Sequence, residues 1–161
     1  MCGIAGIINF DGKPAEREIL ERMNALQRHR GPDGEGIHIA GRFGFAHRRL
    51  AIIDPEGGHQ PIVDQERDVA ITYNGEVYNY IEIRKELEAH YTFKTASDTE
   101  VVLRAYQHWG MDCLQKFRGM FAFAIHDGGK GKIYLVRDRI GIKPLYYARF
   151  RQCFVFASEL M

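Results

Sequence analysis

The period of the apolar residues changes along this chain, and that change restricts the fold more than any other feature. Near the start, Ile4 to Phe10 form a short apolar run that ends at the turn signal Asp11-Gly12. Phe43 and Phe45 alternate with small residues and lead into His47-Arg48-Arg49, which reads as a strand running into a loop. Val69 to Tyr73 reads as another strand, with Asn74-Gly75 expected to break it. Met120 to His126 alternates Phe121, Phe123 and Ile125, and Lys132 to Val136 follows after a Gly-Gly turn. Tyr146 to Ala148 and Phe154 to Ala157 complete the strand-like series.

Helical spacing falls between these runs. Pro14 is expected to open a helix in which Ile19, Met23 and Leu26 share one stripe, ended by loop residues Arg30 to Gly34. Two further helices are predicted, over Ile81 to Ala89 and over Asp98 to Trp109, the second with Val102, Tyr106 and Trp109 on one face. Strands at both ends with helices in the middle argue for α+β architecture with antiparallel sheets. Periodicity leaves the number of sheets open.

With 161 residues the chain suits one domain with a sizeable core, and no repeat or low-complexity linker divides it. Lys plus Arg number 22 against 21 acidic residues, so no global basic field points to nucleic acid. No apolar run approaches the roughly 18 residues that span a bilayer, and MCGIAGII lacks the basic flank of a signal peptide. Three widely spaced cysteines, Cys2, Cys113 and Cys153, fit neither a disulfide framework nor a zinc site. A cytoplasmic protein that holds no metal is the expectation.

Cys2 is the first residue with chemistry to offer. A small second residue allows the initiator Met to be trimmed, which leaves a thiol and a free α-amine on one residue. That amine, with a reference pKa of about 7.7 to 8.0, can accept a proton at neutral pH and activate its own side chain. The competing reading is a small apolar residue opening a buried strand. Asn74-Gly75-Glu76 is the second candidate, and it fits two descriptions. It is a hairpin turn signal, or the Asn amide and Gly N–H form an oxyanion hole that the missing Cβ lets a carbonyl approach.

Ser97-Asp98-Thr99-Glu100 has capping-box spacing, which accounts for Ser97 and Glu100 and leaves the Asp98 carboxylate at a helix start, where it could bind an ammonium group. Arg49 could grip a carboxylate with its fork, or simply make a surface ion pair. Cys113 and Cys153 read as core residues. Together the candidates describe an enzyme acting on the side-chain amide of a free amino acid.

The blocks MCGIAGI, RHRGPDGEG, HRRLAIID, GGHQP, YNGEVYNY, SDTEVVL, FRGMFAFAIHD, RDRIGIKPLYY and FASEL occur in that order over essentially the whole chain. In these the chain resembles the class II glutamine amidotransferase domain of glutamine-hydrolysing asparagine synthetases. The resemblance implies an N-terminal-nucleophile hydrolase fold, a four-layer αββα sandwich of two antiparallel sheets, as one domain over residues 1–161. It implies Cys2 as nucleophile and Asn74 and Gly75 as oxyanion hole. It further implies Arg49 on the glutamine α-carboxylate with Ile53 lining the same pocket, and Glu76 with Asp98 on the α-ammonium. Arg30 to Gly34 resembles a loop that closes over glutamine, and Arg48 takes no role.

The implied reaction is hydrolysis of L-glutamine to glutamate and ammonia through a Cys2 thioester, with no cofactor in that half-reaction. Such synthetases continue into an ATP-using domain with an S-G-G-x-D-S phosphate loop, and no such motif occurs in this sequence. That domain of the same parent chain, with its ATP and magnesium, is therefore expected downstream and absent here. The implied partners are L-glutamine and that synthetase domain, with a homodimer left open. A parent with another ammonia acceptor, such as a glucosamine-phosphate synthase or an amidophosphoribosyltransferase, is the alternative among enzymes. A silent glutamine-binding domain is the alternative outside them.

Overall fold

A computed structural model describes residues 1–160. Strands β1 (Gly3–Asn9), β2 (Gly34–Ala40), β3 (Phe43–Arg49), β8 (Tyr146–Phe150) and β9 (Cys153–Ala157) form one antiparallel sheet in the order β2-β3-β1-β9-β8. Strands β4 (Ile62–Asp64), β5 (Val69–Val77), β6 (Gly119–Asp127) and β7 (Lys132–Arg137) form a second in the order β4-β5-β6-β7. Helix α1 (Arg17–Leu26) covers the first sheet. Helices α2 (Tyr80–Leu87) and α3 (Asp98–Trp109) cover the second, and a short α4 (Cys113–Lys116) follows. This is the expected four-layer αββα sandwich.

The two-residue period of each strand sorts its side chains between layers. From β1 and β3, Ile4, Ile8, Phe43 and Phe45 turn toward the second sheet and meet Ala70, Ala122 and Ala124 there. Large side chains on one sheet face alanines on the other, so the layers close tightly. Phe45 and Phe156 fill the centre edge to face, with centroids 5.8 Å apart. The opposite faces carry Ala5, Ile7 and Ala46 to Leu20 of α1, and Ile71, Tyr73, Phe123 and Ile125 to the helices.

Four expectations need correction. Asn74 and Gly75 do not break a strand: β5 runs through them to Val77, paired throughout with β6. β2 and β4 carry no clear strand signal in the sequence: the two isoleucines of β2, Ile37 and Ile39, are too few to stand out among polar neighbours, and β4 is only three residues long. Pro14 lies before α1, in a segment held by Asn9 Nδ2 donating to the Lys13 and Pro14 carbonyls at 3.2 and 2.9 Å. On α1 itself the buried residues are Leu20 and Asn24, while Ile19 and Leu26 are 41% and 56% exposed. Met23, the middle of the predicted stripe, does pack against this cluster beside Leu20, and Arg48 Nε donates to the Asn24 carbonyl at 3.0 Å, so the helix is seated on Leu20, Met23 and Asn24 with the two ends of its stripe turned outward.

Candidate active site

The period that builds the core also builds the site. Cys2 continues the inward face of Ile4 and Ile8, and Arg49 continues that of Phe43, Phe45 and His47. Asn74 continues that of Ala70 and Thr72. All three emerge where the space between the sheets opens, and α3 brings its first residue, Asp98, to the same opening. A cavity of about 60 Å³ lies there, and every predicted site residue lines it: Cys2, Arg49, Ile53, Asn74, Gly75, Glu76 and Asp98.

The Cys2 thiol is tied to one peptide unit. Leu50 N–H donates to Sγ at 3.4 Å, and the thiol donates to the Leu50 carbonyl at 3.7 Å. Burial pushes the thiol pKa up, and the Leu50 N–H and Arg49 guanidinium only partly offset this. Burial thus disfavours the thiolate in this setting. Arg30, which is buried, donates from Nε to the Cys2 carbonyl at 3.0 Å and from Nη1 to Glu159 at 2.7 Å. It holds the backbone of the candidate nucleophile in place.

Asn74 is buried, and its Nδ2 has no hydrogen-bond partner among the described residues. A buried amide donor left this way costs free energy comparable to a lost hydrogen bond, and Asn74 is a residue of the cavity wall, so its donor is available to an acceptor that enters there. The hairpin-turn alternative is excluded by the position of Asn74 inside β5. Gly75 is also required by packing. A Cβ there would lie 2.5 Å from the Met120 carbonyl oxygen and 2.7 Å from Phe121 Cα. The neighbouring strand by itself imposes the glycine.

Arg49 is buried and makes no ion pair among the described residues, so the surface-pair alternative fails. It donates through Nη1 to the Pro55 carbonyl at 2.7 Å and through Nη2 to that of Asp54. Gly58 makes room for this fork, since a Cβ would fall 2.6 Å from Nη2. Asp98 is buried at the start of α3, and its Oδ2 accepts from Tyr73 Oη at 2.8 Å and Val77 N–H at 3.2 Å. Burial raises its pKa and outweighs those two hydrogen bonds. Ser97 caps α3 by accepting from Glu100 N–H at 3.4 Å. Glu100 does not return the contact to the Ser97 backbone. Its carboxylate accepts from Lys94 N–H and Thr95 N–H, at 3.0 and 2.7 Å, and fixes the turn before the helix.

Sequence reasoning missed Gln60, Tyr73 and Lys143, which also line the cavity. Gln60 is the most informative of them. Its Oε1 accepts from Tyr73 N–H at 2.7 Å, and its Nε2 donates to the Tyr73 carbonyl and Thr99 Oγ1 at 3.1 and 3.2 Å. The block GGHQP marked it, yet a glutamine in a loop gives no periodic signal.

The model of the family described as glutamine amidotransferase domain matches residues 1–161. Among curated proteins, a putative glutamine-hydrolyzing asparagine synthetase 2 of Methanocaldococcus jannaschii is 44% identical over 99% of this chain and 34% of its own. Glutamine-hydrolyzing asparagine synthetase 1 of Bacillus subtilis is 45% identical over 99% of this chain and 26% of its own. For asparagine synthetase B of Escherichia coli the values are 41%, 99% and 29%. This chain thus spans about a quarter to a third of the length of those relatives. Among solved structures, the glutamine phosphoribosylpyrophosphate amidotransferase of B. subtilis, complexed with ADP and GMP, superposes with a TM-score of 0.79. It is 22% identical and covers 98% of this chain and 42% of its own, a likeness of fold. The chain belongs to the glutamine amidotransferase domain family.

Proposed function

We propose that this domain hydrolyses L-glutamine to glutamate and ammonia with Cys2 as nucleophile, after removal of Met1. The observation that carries this reading is the pairing, in one cavity wall, of the Cys2 thiol with the partnerless buried amide of Asn74. The α-amine takes the thiol proton, and Sγ forms a bond to the side-chain carbonyl carbon. Charge collects on the carbonyl oxygen, where the Asn74 Nδ2 and the Gly75 N–H donate. The α-ammonium returns its proton to the nitrogen, the C–N bond breaks, and ammonia leaves a γ-glutamyl thioester. The same amine deprotonates a water that attacks the thioester, which releases glutamate and restores the thiol.

Arg49 keeps guanidinium N–H groups beyond the two that hold the 54–55 carbonyls, and these suit the α-carboxylate, with Ile53 beside it. Glu76 and Asp98 suit the α-ammonium. Met1 forms part of the cavity wall, and a volume of about 60 Å³ is well below that of an ordinary ligand pocket. Loss of Met1 enlarges the space and frees the amine in one step. The half-reaction uses no metal or organic cofactor as drawn.

The identities with glutamine-hydrolyzing asparagine synthetases support a parent in which the ammonia amidates aspartate in a further ATP- and magnesium-dependent synthetase domain. A cytoplasmic location suits three free cysteines and a chain in which, among the described residues, no helix is long and apolar enough to cross a membrane. Glutamate release from glutamine by the chain lacking Met1, compared with its Cys2→Ala variant, tests the reading. Equal release by both would refute it.

A further inference from the structure

We propose that Lys143 is a positioning residue for the glutaminase reaction, whose buried ammonium group keeps the α-amine of Cys2 in its free-base form near neutral pH. This rests on the reading of Cys2 as a nucleophile served by its own amine.

Lys143 is delivered to the cavity by a loop with little freedom. The Asp138 carboxylate accepts from Ile142 N–H at 2.9 Å, Lys143 N–H at 3.0 Å and Phe121 N–H of β6 at 3.3 Å. Arg137 donates to the carbonyls of Lys143 and Gly141, both at 2.7 Å. Gly141 N–H donates to the Asp138 carbonyl at 2.9 Å, and a φ of +73° at this residue suits glycine. The loop places the Lys143 side chain in the wall that also holds Cys2, with only 6% of the residue exposed.

Its ammonium group has no carboxylate within 4.0 Å among the described residues. Nζ donates to Met1 Sδ at 3.4 Å, a thioether and a weak acceptor. A buried ammonium without a carboxylate is destabilising, and packing alone would be served better by a methionine or leucine. Once Met1 is removed, even this partner is gone, and the group beside it is the new terminus. Met1 Sδ is five bonds from Cys2 N, at most about 6 Å, so Nζ lies within roughly 9 Å of the amine.

The other charges facing the amine come from every side of the cavity. Arg49 at the end of β3 and Arg30 on the Cys2 carbonyl disfavour a second cation. Glu76 of β5 and Asp98 of α3 favour one. The Cys2 thiol and Tyr73 hydroxyl complete the set. In the proposed complex the two carboxylates are occupied by the substrate ammonium and Arg49 by its carboxylate. Lys143 then remains the unpaired charge beside the base, and at an effective dielectric near 20 it lowers the amine pKa by about one pH unit.

The test uses the chain lacking Met1. The acid limbs of kcat, which reports the complex, and of kcat/KM, which reports the free enzyme, are measured against pH for the wild type, Lys143→Met, Lys143→Gln and Lys143→Arg, and NMR titration of isotopically labelled Cys2 follows the amine directly. Loss of the charge should move both the acid limb and the NMR titration up by about one pH unit, and Lys143→Arg should hold both near the wild-type position. A uniform loss of rate across pH, with the amine titration unmoved in both neutral variants, would overturn the proposal. The NMR arm requires no turnover, so it separates this proposal from the reading beneath it. A wild type without Cys2-dependent glutaminase activity would refute that reading whatever the amine does.

Discussion

The hydroxyl of Tyr73 donates to Asp98 Oδ2 at 2.8 Å, linking the outward face of β5 to the first residue of α3. Asp98 thereby faces the cavity although it belongs to the helical layer. Burial raises the pKa of its carboxyl, and the Tyr73 hydrogen bond is the largest influence opposing this. Tyr73→Phe should therefore weaken glutamine binding, raising KM about 3- to 30-fold with little change in kcat, as expected for loss of a hydrogen bond to a charged group. Steady-state kinetics at pH 7.5 and pH 6 check this, and the KM effect should be larger at the lower pH. An unchanged KM would separate Asp98 from the ammonium site.

Asn74→Ala should lower kcat by about 10² to 10³ with a smaller effect on KM, because charge on the carbonyl oxygen exists only in the transition state. The Asn74 Nδ2 makes no hydrogen bond among the described residues, so thermal unfolding should move by no more than about 4 °C. A change confined to KM would remove Asn74 from the oxyanion hole.

Asp98→Asn and Arg49→Lys should act the other way, mainly on KM, since the α-amino and α-carboxylate groups are unchanged during reaction. Arg49→Lys should also loosen the 54–55 turn, whose carbonyls the guanidinium fork holds. Limited proteolysis of the free chain checks the second effect, and calorimetric glutamine titration of a Cys2→Ala background checks the first.

His47 is fully buried between the sheets, its Nδ1 sits 3.2 Å from Thr72 Oγ1, and burial lowers its pKa to about 3. An unfolded chain takes up this proton near pH 6.5 while the folded one resists it. The contribution of neutral His47 is therefore complete above about 6.5 and is lost as pH falls from there toward about 3. Lowering pH from 7 to 5 should cost about 2 kcal/mol of unfolding free energy through this residue alone. Urea unfolding of wild type and His47→Gln at the two pH values measures it. An equal drop in both would show that other groups carry the acid sensitivity.

The architecture was legible in the sequence wherever one residue in two or one face in four carried large apolar side chains. β6 with Phe121, Phe123 and Ile125 is one such case, and α3 from Asp98 to Trp109 is another. It was illegible where geometry outranked composition. Asn74-Gly75 reads as a turn, but it pairs in register with Ala122 and Phe121 of β6 inside a continuous strand. Helix α1 presents Leu20 and Asn24 together with Met23, while Ile19 and Leu26 of its apolar stripe face out. Six of the seven predicted site residues reach one cavity because strand register and the α3 cap fix their positions, and Ile53 enters it from the segment after β3. Gln60, Arg30 and Lys143 lay beyond a local reading, since their contacts span 13 to 142 positions along the chain.

In the proposed reaction the base is the α-amine of Cys2 itself, and Met1 decides whether that amine exists. With Met1 attached, the Cys2 nitrogen is an amide, burial keeps the thiol pKa raised, and Met1 fills part of the cavity wall. The most direct measurement is a glutaminase assay on two preparations of the same chain, one with Met1 and one without, each verified by intact mass. The processed form should release glutamate, with activity rising as pH passes through the α-amine pKa, and the Met1-bearing form should be nearly inactive with the same fold by circular dichroism. Equal activity in the two forms would mean that another group is the base, and the N-terminal-nucleophile account would be contradicted.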